Sequence, residues 1–386
     1  MRIGIVSETW PPEVNGVALT VHGLANGLAA RGHAVEVVRP RQAWPSAAEP
    51  QFETVFTRGA ALPRYPGLRF GLPAGRILRE RWARERPDAI YVATEGPLGS
   101  SALRAANALR IPAASGFHTR FDSYAGHYGL RWLTPLVRGH LRRFHNRAGA
   151  TLVPTDALAD ELAGLGVDNP RLLRRAVDTQ LFHPGQRDPA LRARWSVDAG
   201  TPVMLYVGRI AAEKNLDLAV QAFRSAQRQQ PAMRYVWVGD GPARAALQEA
   251  NPDFIFAGMQ RGVALARHVA STDLFPFPSL SETFGNVILE ALACGVPVIA
   301  YREGAAREHL RDGYNGYCVA SGDADAFVAA TARLAGNPAL IRHMGRRAHE
   351  STARLSPEQV IREFELLLRE LAEEQRHDHD TVAIHA

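Results

Sequence analysis

The chain has 386 residues, too many for one compact core and enough for two domains of about 150–200 residues each. Apolar residues make up 46% and charged residues 22%, which excludes disordered, collagen-like and coiled-coil chains. Its net charge of +6 divides unevenly: residues 1–175 carry +9, all the basic charge there from arginine, and residues 176–386 carry −3.

Apolar runs alternate with amphipathic stretches along the whole length, the pattern of α/β domains with parallel sheets. In the first half strands are expected over 2–6, 35–38, 52–57, 89–93, 113–117 and 151–154, and helices over 17–31, 76–86, 98–109, 132–147 and 156–165. Residues 168–198 are rich in Pro, Arg and Asp and read as a linker. A second series follows, with strands over 203–207, 235–238, 254–257, 274–276, 296–300 and 317–319, and helices over 216–229, 243–250, 262–270, 286–294 and 324–335. A last helix, 357–374, carries Val360, Phe364, Leu367, Leu368 and Leu371 on one stripe. Residues 376–386 read as a disordered tail. These limits give a first domain over 1–180 joined by the helix at 357–375, and a second over 181–356. Two doubly wound domains in tandem are expected to hold a ligand in a cleft between them, beyond the carboxyl ends of the strands.

Only two cysteines occur, Cys294 and Cys318, so a disulfide framework is excluded and a reducing cytoplasm is expected. The apolar start at 3–6 is too short for a signal peptide, and no run of 18 apolar residues could span a membrane. The +9 half suggests an anionic partner, although a solvated arginine-rich surface explains the same balance.

Gly16 stands between the first strand and a helix, where a small residue lets an anion approach the helix N-terminus. The dinucleotide fingerprint is absent: Gly239-Asp-Gly241-Pro-Ala-Arg244 lacks its third glycine, and there is no phosphate-binding GxxxxGK motif. A nicotinamide dehydrogenase or an ATPase is therefore a poor reading. Lys214 is the one lysine among 45 basic residues. With Arg209 it brackets the loop after Gly208, and a planar fork beside a point charge suits a diphosphate whose charge grows as its bond to a sugar breaks. The alternative is a helix-start pair in which Glu213 bridges Lys214.

The segment from Ser281 to Pro297 is the richest. Thr283, Phe284, Gly285 and Asn286 are expected at a helix N-terminus that favours anions. Glu282 and Glu290, eight residues apart, would be separated by about 12 Å of helix rise, which suits neither a retaining nor an inverting hydrolase pair. The spacing does suit two hydroxyl-rich ends of one extended ligand. His118, followed by Thr119, Arg120 and Asp122, comes just past a strand end; it either meets a sugar hydroxyl or sits satisfied in the core. Asp323-Ala-Asp325 opens a helix and reads as a cap, without a metal. Tyr124 to Arg147 interleaves Trp132, Leu133, Leu136, Val137, Leu141 and Phe144 with arginines. Such a stretch either lies on an anionic bilayer or packs its stripe inward. Arg64, Tyr65 and Arg69 occupy a Pro- and Gly-rich loop that could contact an acceptor.

The Gly16 loop, Phe117-His-Thr119, Gly208-Arg…Lys214, Gly239-Asp-Gly-Pro242 and the Glu282–Glu290 segment together resemble retaining glycosyltransferases of family 4, over residues 1 to about 375. The runs Glu8-Thr-Trp-Pro-Pro-Glu-Val-Asn-Gly-Val17 and Arg175-Ala-Val-Asp-Thr-Gln-Leu-Phe-His-Pro184 are similar to GDP-mannose-dependent α-mannosyltransferases and sulfoquinovosyl or glycolipid synthases. The resemblance implies the GT-B fold and transfer of a hexose, mannose from GDP-mannose first, to a lipid or lipid-linked glycan. It implies that Arg209 and Lys214 hold the donor diphosphate with backbone near Gly16 and Gly208, that Glu282 and Thr283–Asn286 hold the hexose, and Glu290 the ribose. The base would lie near Met259, and His118 would meet the transferred sugar or the acceptor. Asn15, Tyr65, Arg69 and Arg120 are acceptor candidates. Beyond the nucleoside diphosphate sugar itself no cofactor or metal is implied. Thr283 stands where many relatives have glycine, which leaves donor identity open. The other readings are a UDP-sugar-dependent glucosyl, glucuronosyl or galactosyl diacylglycerol synthase, a sugar-nucleotide epimerase or hydrolase, and a non-catalytic sugar-nucleotide-binding protein. Nucleic acid is not expected as a partner, since no basic aromatic platform is evident. The chain is expected in the cytoplasm, peripheral on the inner face of the membrane.

Overall fold

The strands lack polar alternation because helices cover both faces of their sheets, which is the condition for parallel pairing. A computed structural model describes residues 1–13, 15–42, 49–61, 69–118, 134–280 and 283–384, and the chain divides into two units, 1–174 with 358–386, and 175–357. The divisions fall at 174/175 and 357/358, against 180/181 and 356/357 from the sequence.

In the first unit seven parallel strands take the order β3-β2-β1-β6-β7-β8-β9. They are β1 (Arg2–Val6), β2 (Ala34–Pro40), β3 (Phe52–Thr57), β6 (Ala89–Val92), β7 (Ala113–Gly116), β8 (Ala150–Val153) and β9 (Pro170–Leu172). A small antiparallel pair, β4 (Gly59–Ala61) and β5 (Arg69–Gly71), stands apart. The helices are α1 (Gly16–Ala30), α2 (Gly75–Arg84), α3 (Pro97–Ala108), α4 (Thr134–His145) and α5 (Asp156–Gly164). Helix α1 buries Ala18, Val21, Leu24, Ala25 and Leu28 on one stripe. Chain order reverses between β1 and β6, so loops after these two strands diverge and leave room for a ligand. Of the basic stretch 124–147, residues 124–133 lie outside the described residues. In the remainder Leu141 and Phe144 are buried in the unit while Leu136 is exposed.

The second unit repeats this plan. Its strands are β10 (Val203–Val207), β11 (Arg234–Val238), β12 (Ile255–Gly258), β13 (Phe275–Phe277), β14 (Val298–Tyr301) and β15 (Gly316–Val319). Two three-stranded parallel groups, β10-β11-β12 and β13-β14-β15, meet where Leu205 N donates to Leu274 O at 3.0 Å. The order along the row is therefore β12-β11-β10-β13-β14-β15, with its reversal between β10 and β13. Around it lie α6 (Pro189–Arg194), α7 (Leu216–Gln229), α8 (Arg244–Ala250), α9 (Gly262–Ala270), α10 (Asn286–Ala293), α11 (Gly304–His309), α12 (Ala324–Ala335) and α13 (Pro338–Thr352).

The segment 168–198 is not a linker. It contains β9 and α6, and Leu191, Trp195 and Val197 are buried in the second unit. The last helix, α14 (Pro357–Ile384), packs on the first unit: Phe364 meets Tyr91 edge to face at 5.0 Å, and Glu365 pairs with Arg31 and, at 3.0 Å, with His33. It continues past 376, where disorder was expected, because no Gly or Pro interrupts 376–384.

Candidate functional site

In the second unit the fold gathers the sequence motifs at one end of the sheet. Strand β10 is wholly buried and delivers Gly208 and Arg209 to its carboxyl end. A 3-10 turn over Ala212–Lys214 follows, closed by Asn215 in the left-handed conformation (φ 56°), and α7 begins at Leu216. Asn215 Nδ2 donates to Pro278 O at 3.3 Å, tying this turn to the loop after β13. Tyr206, stacked on Trp237 at 4.3 Å, donates its hydroxyl to Arg209 O at 2.8 Å. The Arg209 guanidinium is ion-paired to Glu213. Glu213 thus pairs with Arg209, four residues back, across the extended Ala211 that precedes the 3-10 turn.

The Gly239–Pro242 loop, after β11, lies against the same segment. Ile210 N donates to Asp240 O at 2.9 Å, Ala243 N donates to Ile210 O at 3.0 Å, and Gly239 N donates to Gly258 O at 2.9 Å. Gly239 (φ 139°) is required here, because a Cβ would lie 1.9 Å from Gly208 O. Met259, next after β12, keeps 46% of its surface exposed, a flexible apolar side chain at the edge of this loop cluster.

Helix α10 faces the reversal between β10 and β13 with its N-terminus. Gly285 (φ 89°) is its N-cap and Asn286 its first residue, so Thr283 and Phe284 precede the helix. Phe284 O accepts from Ala305 N at 2.7 Å, which fixes the approach. Glu282 lies outside the described residues. Because the helix starts at Asn286, the helical spacing from Glu282 to Glu290 assumed from sequence does not apply. Glu290 follows Asn286 by one turn. Burial pushes its carboxyl up to about 7, and its Oε2 is enclosed with no hydrogen-bond partner among the described residues. An enclosed carboxylate oxygen without a donor is suited to a hydroxyl supplied by a ligand. Asp323 accepts from Ala326 N at 2.9 Å and caps α12.

In the first unit the corresponding end carries α1, whose first residue is Gly16. Asn15 is the N-cap of α1: its Oδ1 accepts from Ala18 N at 2.8 Å while Nδ2 donates to Thr9 Oγ1 at 2.6 Å. Both amide groups are engaged in structure. Arg69 donates to Gly59 O at 2.9 Å, bracing the β4–β5 pair. His118, two residues past β7, shares a 2.6 Å hydrogen bond with the hydroxyl of buried Tyr91 on β6. Arg64, Tyr65, Thr119, Arg120 and Asp122 lie outside the described residues.

Reasoning from the sequence did not single out Glu8. It follows β1 at the reversal of the first sheet, where burial pushes its carboxyl up to about 7 despite hydrogen bonds from Leu98 (3.0 Å), Gly71 and Gly99. Such a group can hold or release a proton at neutral pH. The available signal was an acid two residues beyond an apolar strand, at the end where such sheets bind ligands.

Two family models match the chain: Glycosyltransferase Family 4 over residues 14–181, and Glycosyl transferases group 1 over residues 201–337. A GDP-mannose-dependent alpha-mannosyltransferase of Corynebacterium glutamicum is 36% identical over 328 residues, 82% of this chain and 76% of that protein. Sulfoquinovosyl transferase SQD2 of Arabidopsis thaliana is 30% identical over 305 residues, 77% of this chain and 59% of that protein. Among solved structures, sucrose-phosphate synthase from Thermosynechococcus elongatus superposes with a TM-score of 0.78 at 21% identity, over 96% of this chain and 98% of that one. This likeness shows the fold, two Rossmann-like units of the GT-B class.

Proposed function

The chain belongs to glycosyltransferase family 4 and is a hexosyltransferase, and from that premise we propose that it moves mannose from GDP-mannose, with retention of configuration, to a lipid or lipid-linked glycan. The observation that carries this reading is that the turn bearing Arg209 and Lys214 and the loop leading into α10 follow the neighbouring strands β10 and β13 and are tied by the hydrogen bond from Asn215 to Pro278 O. The similarity to mannosyltransferases that depend on GDP-mannose supports the donor.

Arg209 and Lys214 neutralise the two phosphates, the first as a fork and the second as a point charge. Glu290 accepts from the ribose hydroxyls, Met259 lies against the base, and Thr283 to Asn286, with Glu282 just before them, meet the hexose. The bond from the anomeric carbon to the diphosphate breaks as the acceptor oxygen attaches on the same face. The acceptor's proton passes to the departing phosphate oxygen, so no protein nucleophile and no metal is required. The cations act on the charge that grows on the leaving group, which is where such groups contribute most. In the first unit His118, oriented by Tyr91, contacts the sugar or the acceptor. The basic excess of residues 1–175 suits an acceptor held at an anionic cytoplasmic membrane face.

The test combines donor binding with transfer. GDP and GDP-mannose in excess should raise the melting temperature while UDP and ADP leave it unchanged. Lys214→Ala should lower kcat by about 10²–10³ with the melting temperature held. A preference for UDP would replace GDP-mannose by a UDP-sugar. Full transfer by Lys214→Ala would remove the assigned site.

A further inference from the structure

The two cations proposed to meet the diphosphate, Arg209 and Lys214, stand five residues apart, and the one acid between them is Glu213. The backbone of Arg209 is fixed from two sides. Tyr206 donates its hydroxyl to Arg209 O at 2.8 Å, and Ile210 N donates to Asp240 O at 2.9 Å. Its side chain is a separate matter, because an arginine keeps several rotatable bonds and the freedom lost on ordering them opposes any contact it makes. Glu213 supplies this second constraint. The chain leaves Arg209 through the extended Ala211 and returns in the 3-10 turn, which sets the Glu213 carboxylate against the guanidinium.

The pair is uneven. The Glu213 side chain is 5% exposed and that of Arg209 34%, so the acid stands on the protein side and the guanidinium keeps an open side. In the adjoining loop the order is reversed: Asp240, paired with Arg244, is the more exposed member. A buried carboxylate beside a diphosphate site loses its own hydration and repels the ligand. Both effects oppose donor binding, so the gain has to lie in what the carboxylate does to Arg209. A guanidinium carries five N–H donors, more than one carboxylate occupies, and it can be held by one edge while another meets phosphate oxygens. Held beforehand, it needs no reorganisation when charge grows on the leaving phosphate.

We propose that Glu213 is a positioning residue for the transfer reaction: its carboxylate fixes the direction of the Arg209 fork, and Arg209 so fixed meets the departing diphosphate. The assignment rests on the reading of Arg209 as a donor-phosphate ligand, and it does not depend on which sugar or acceptor is used. Glu213 itself touches no reacting atom.

The test reads turnover as GDP formed from GDP-mannose with a total membrane lipid extract as acceptor, and GDP affinity by calorimetry. Glu213→Ala should lower kcat about tenfold or more, the scale of a misplaced catalytic group. GDP should bind it at least as tightly as the wild type, because a buried anion beside the diphosphate is gone. A turn that had merely collapsed would weaken both together. Glu213→Gln keeps an acceptor oxygen at the same reach and should restore kcat to within about threefold of wild type. Glu213→Asp falls one carbon short and should not. In an Arg209→Gln background, itself slow, Glu213→Ala should lower kcat no further, since the group it orients is absent. The proposal is overturned if Glu213→Ala turns over at the wild-type rate, if kcat and GDP affinity fall in parallel in both Glu213→Ala and Glu213→Asp, or if the losses from Glu213→Ala and Arg209→Gln multiply. If Arg209→Gln itself binds GDP and turns over as the wild type does, the donor site is misplaced and this assignment falls with it. An impaired Arg209→Gln beside an unimpaired Glu213→Ala removes this assignment alone.

Discussion

Asn215 Nδ2 reaches Pro278 O at 3.3 Å, and that one hydrogen bond joins the turn carrying Lys214 to the loop that precedes α10. Strands β10 and β13 are joined near their starts, where Leu205 N donates to Leu274 O at 3.0 Å and Asp273 N to Val203 O at 2.8 Å, so the Asn215 bond adds a tie at their carboxyl ends. Asn215 also occupies the left-handed region, which asparagine tolerates better than most residues. Asn215→Ala should therefore lose about 1–2 kcal/mol, from the hydrogen bond and the backbone strain together. Asn215→Gly restores the backbone freedom and not the amide. It should unfold at a denaturant concentration nearer that of wild type and still bind donor several-fold more weakly. Donor affinity equal to wild type in Asn215→Gly would show that the amide does not set the separation of the two loops.

Gly239 offers a sharper test of the same cluster. Its φ of 139° is strained for any side chain, and an added Cβ would overlap Gly208 O at 1.9 Å. Gly262, at the start of α9, also has a positive φ (50°) but open space around it. Gly262→Ala should cost only the backbone strain, about 1–2 kcal/mol. Gly239→Ala adds overlap to strain and should cost about 3 kcal/mol or more. It should also weaken GDP binding at least tenfold, since the carbonyl it displaces belongs to the residue before Arg209. Chemical denaturation and GDP titration of the two variants side by side check both statements.

Much of this arrangement was legible in the sequence because its signals are local. An apolar run of five residues ending in Gly208 marks β10, and the Arg209, Lys214 and Asn286 positions follow from where such strands end. The order of the strands was not legible, since the reversal between β10 and β13 is a tertiary pairing that one side chain pattern does not encode. Strand β9 escaped notice because it is three half-buried residues, Pro170–Leu172, in a polar stretch. Helix α13 carries Ile341, Met344 and Ala348 at helical spacing, a signal that our reading of the sequence did not use. The raised carboxyls of Glu8 and Glu290 arise from desolvation by residues distant in the chain, which no motif states.

The 2.6 Å hydrogen bond between Tyr91 and His118 separates orientation from contact in the first unit. Tyr91 is fully buried on β6 and cannot itself meet a substrate in place. Tyr91→Phe keeps the ring and removes only the hydroxyl that holds the imidazole. It should lower kcat several-fold and leave GDP affinity unchanged. His118→Ala removes the contacting group itself and should lower kcat further, again without affecting GDP. If Tyr91→Phe and His118→Ala both transfer sugar at the wild-type rate, His118 is a core residue and the acceptor is met elsewhere.

Glu290 supplies a pH signature with opposite signs for binding and for stability. Burial raises its carboxyl from 4.5 to about 7 in the folded chain. Only the ionised form has both oxygens ready to accept from ribose hydroxyls, so GDP affinity should climb through pH 7 and level off above pH 8. Where Glu290 is mostly protonated, below pH 7, the decline should approach tenfold per pH unit. The folded state holds a proton that the unfolded state has released between pH 4.5 and 7, so for this group stability falls as pH rises across that window and is constant above it. Glu290→Gln cannot ionise. Relative to the wild type it should bind GDP with a flat pH dependence, and its unfolding midpoint should decline less between pH 4.5 and 7, the share due to Glu8 remaining. A wild-type GDP affinity that is flat across pH 6 to 8, with stability still falling toward pH 7, would leave the buried carboxyl in place and take the ribose away from it.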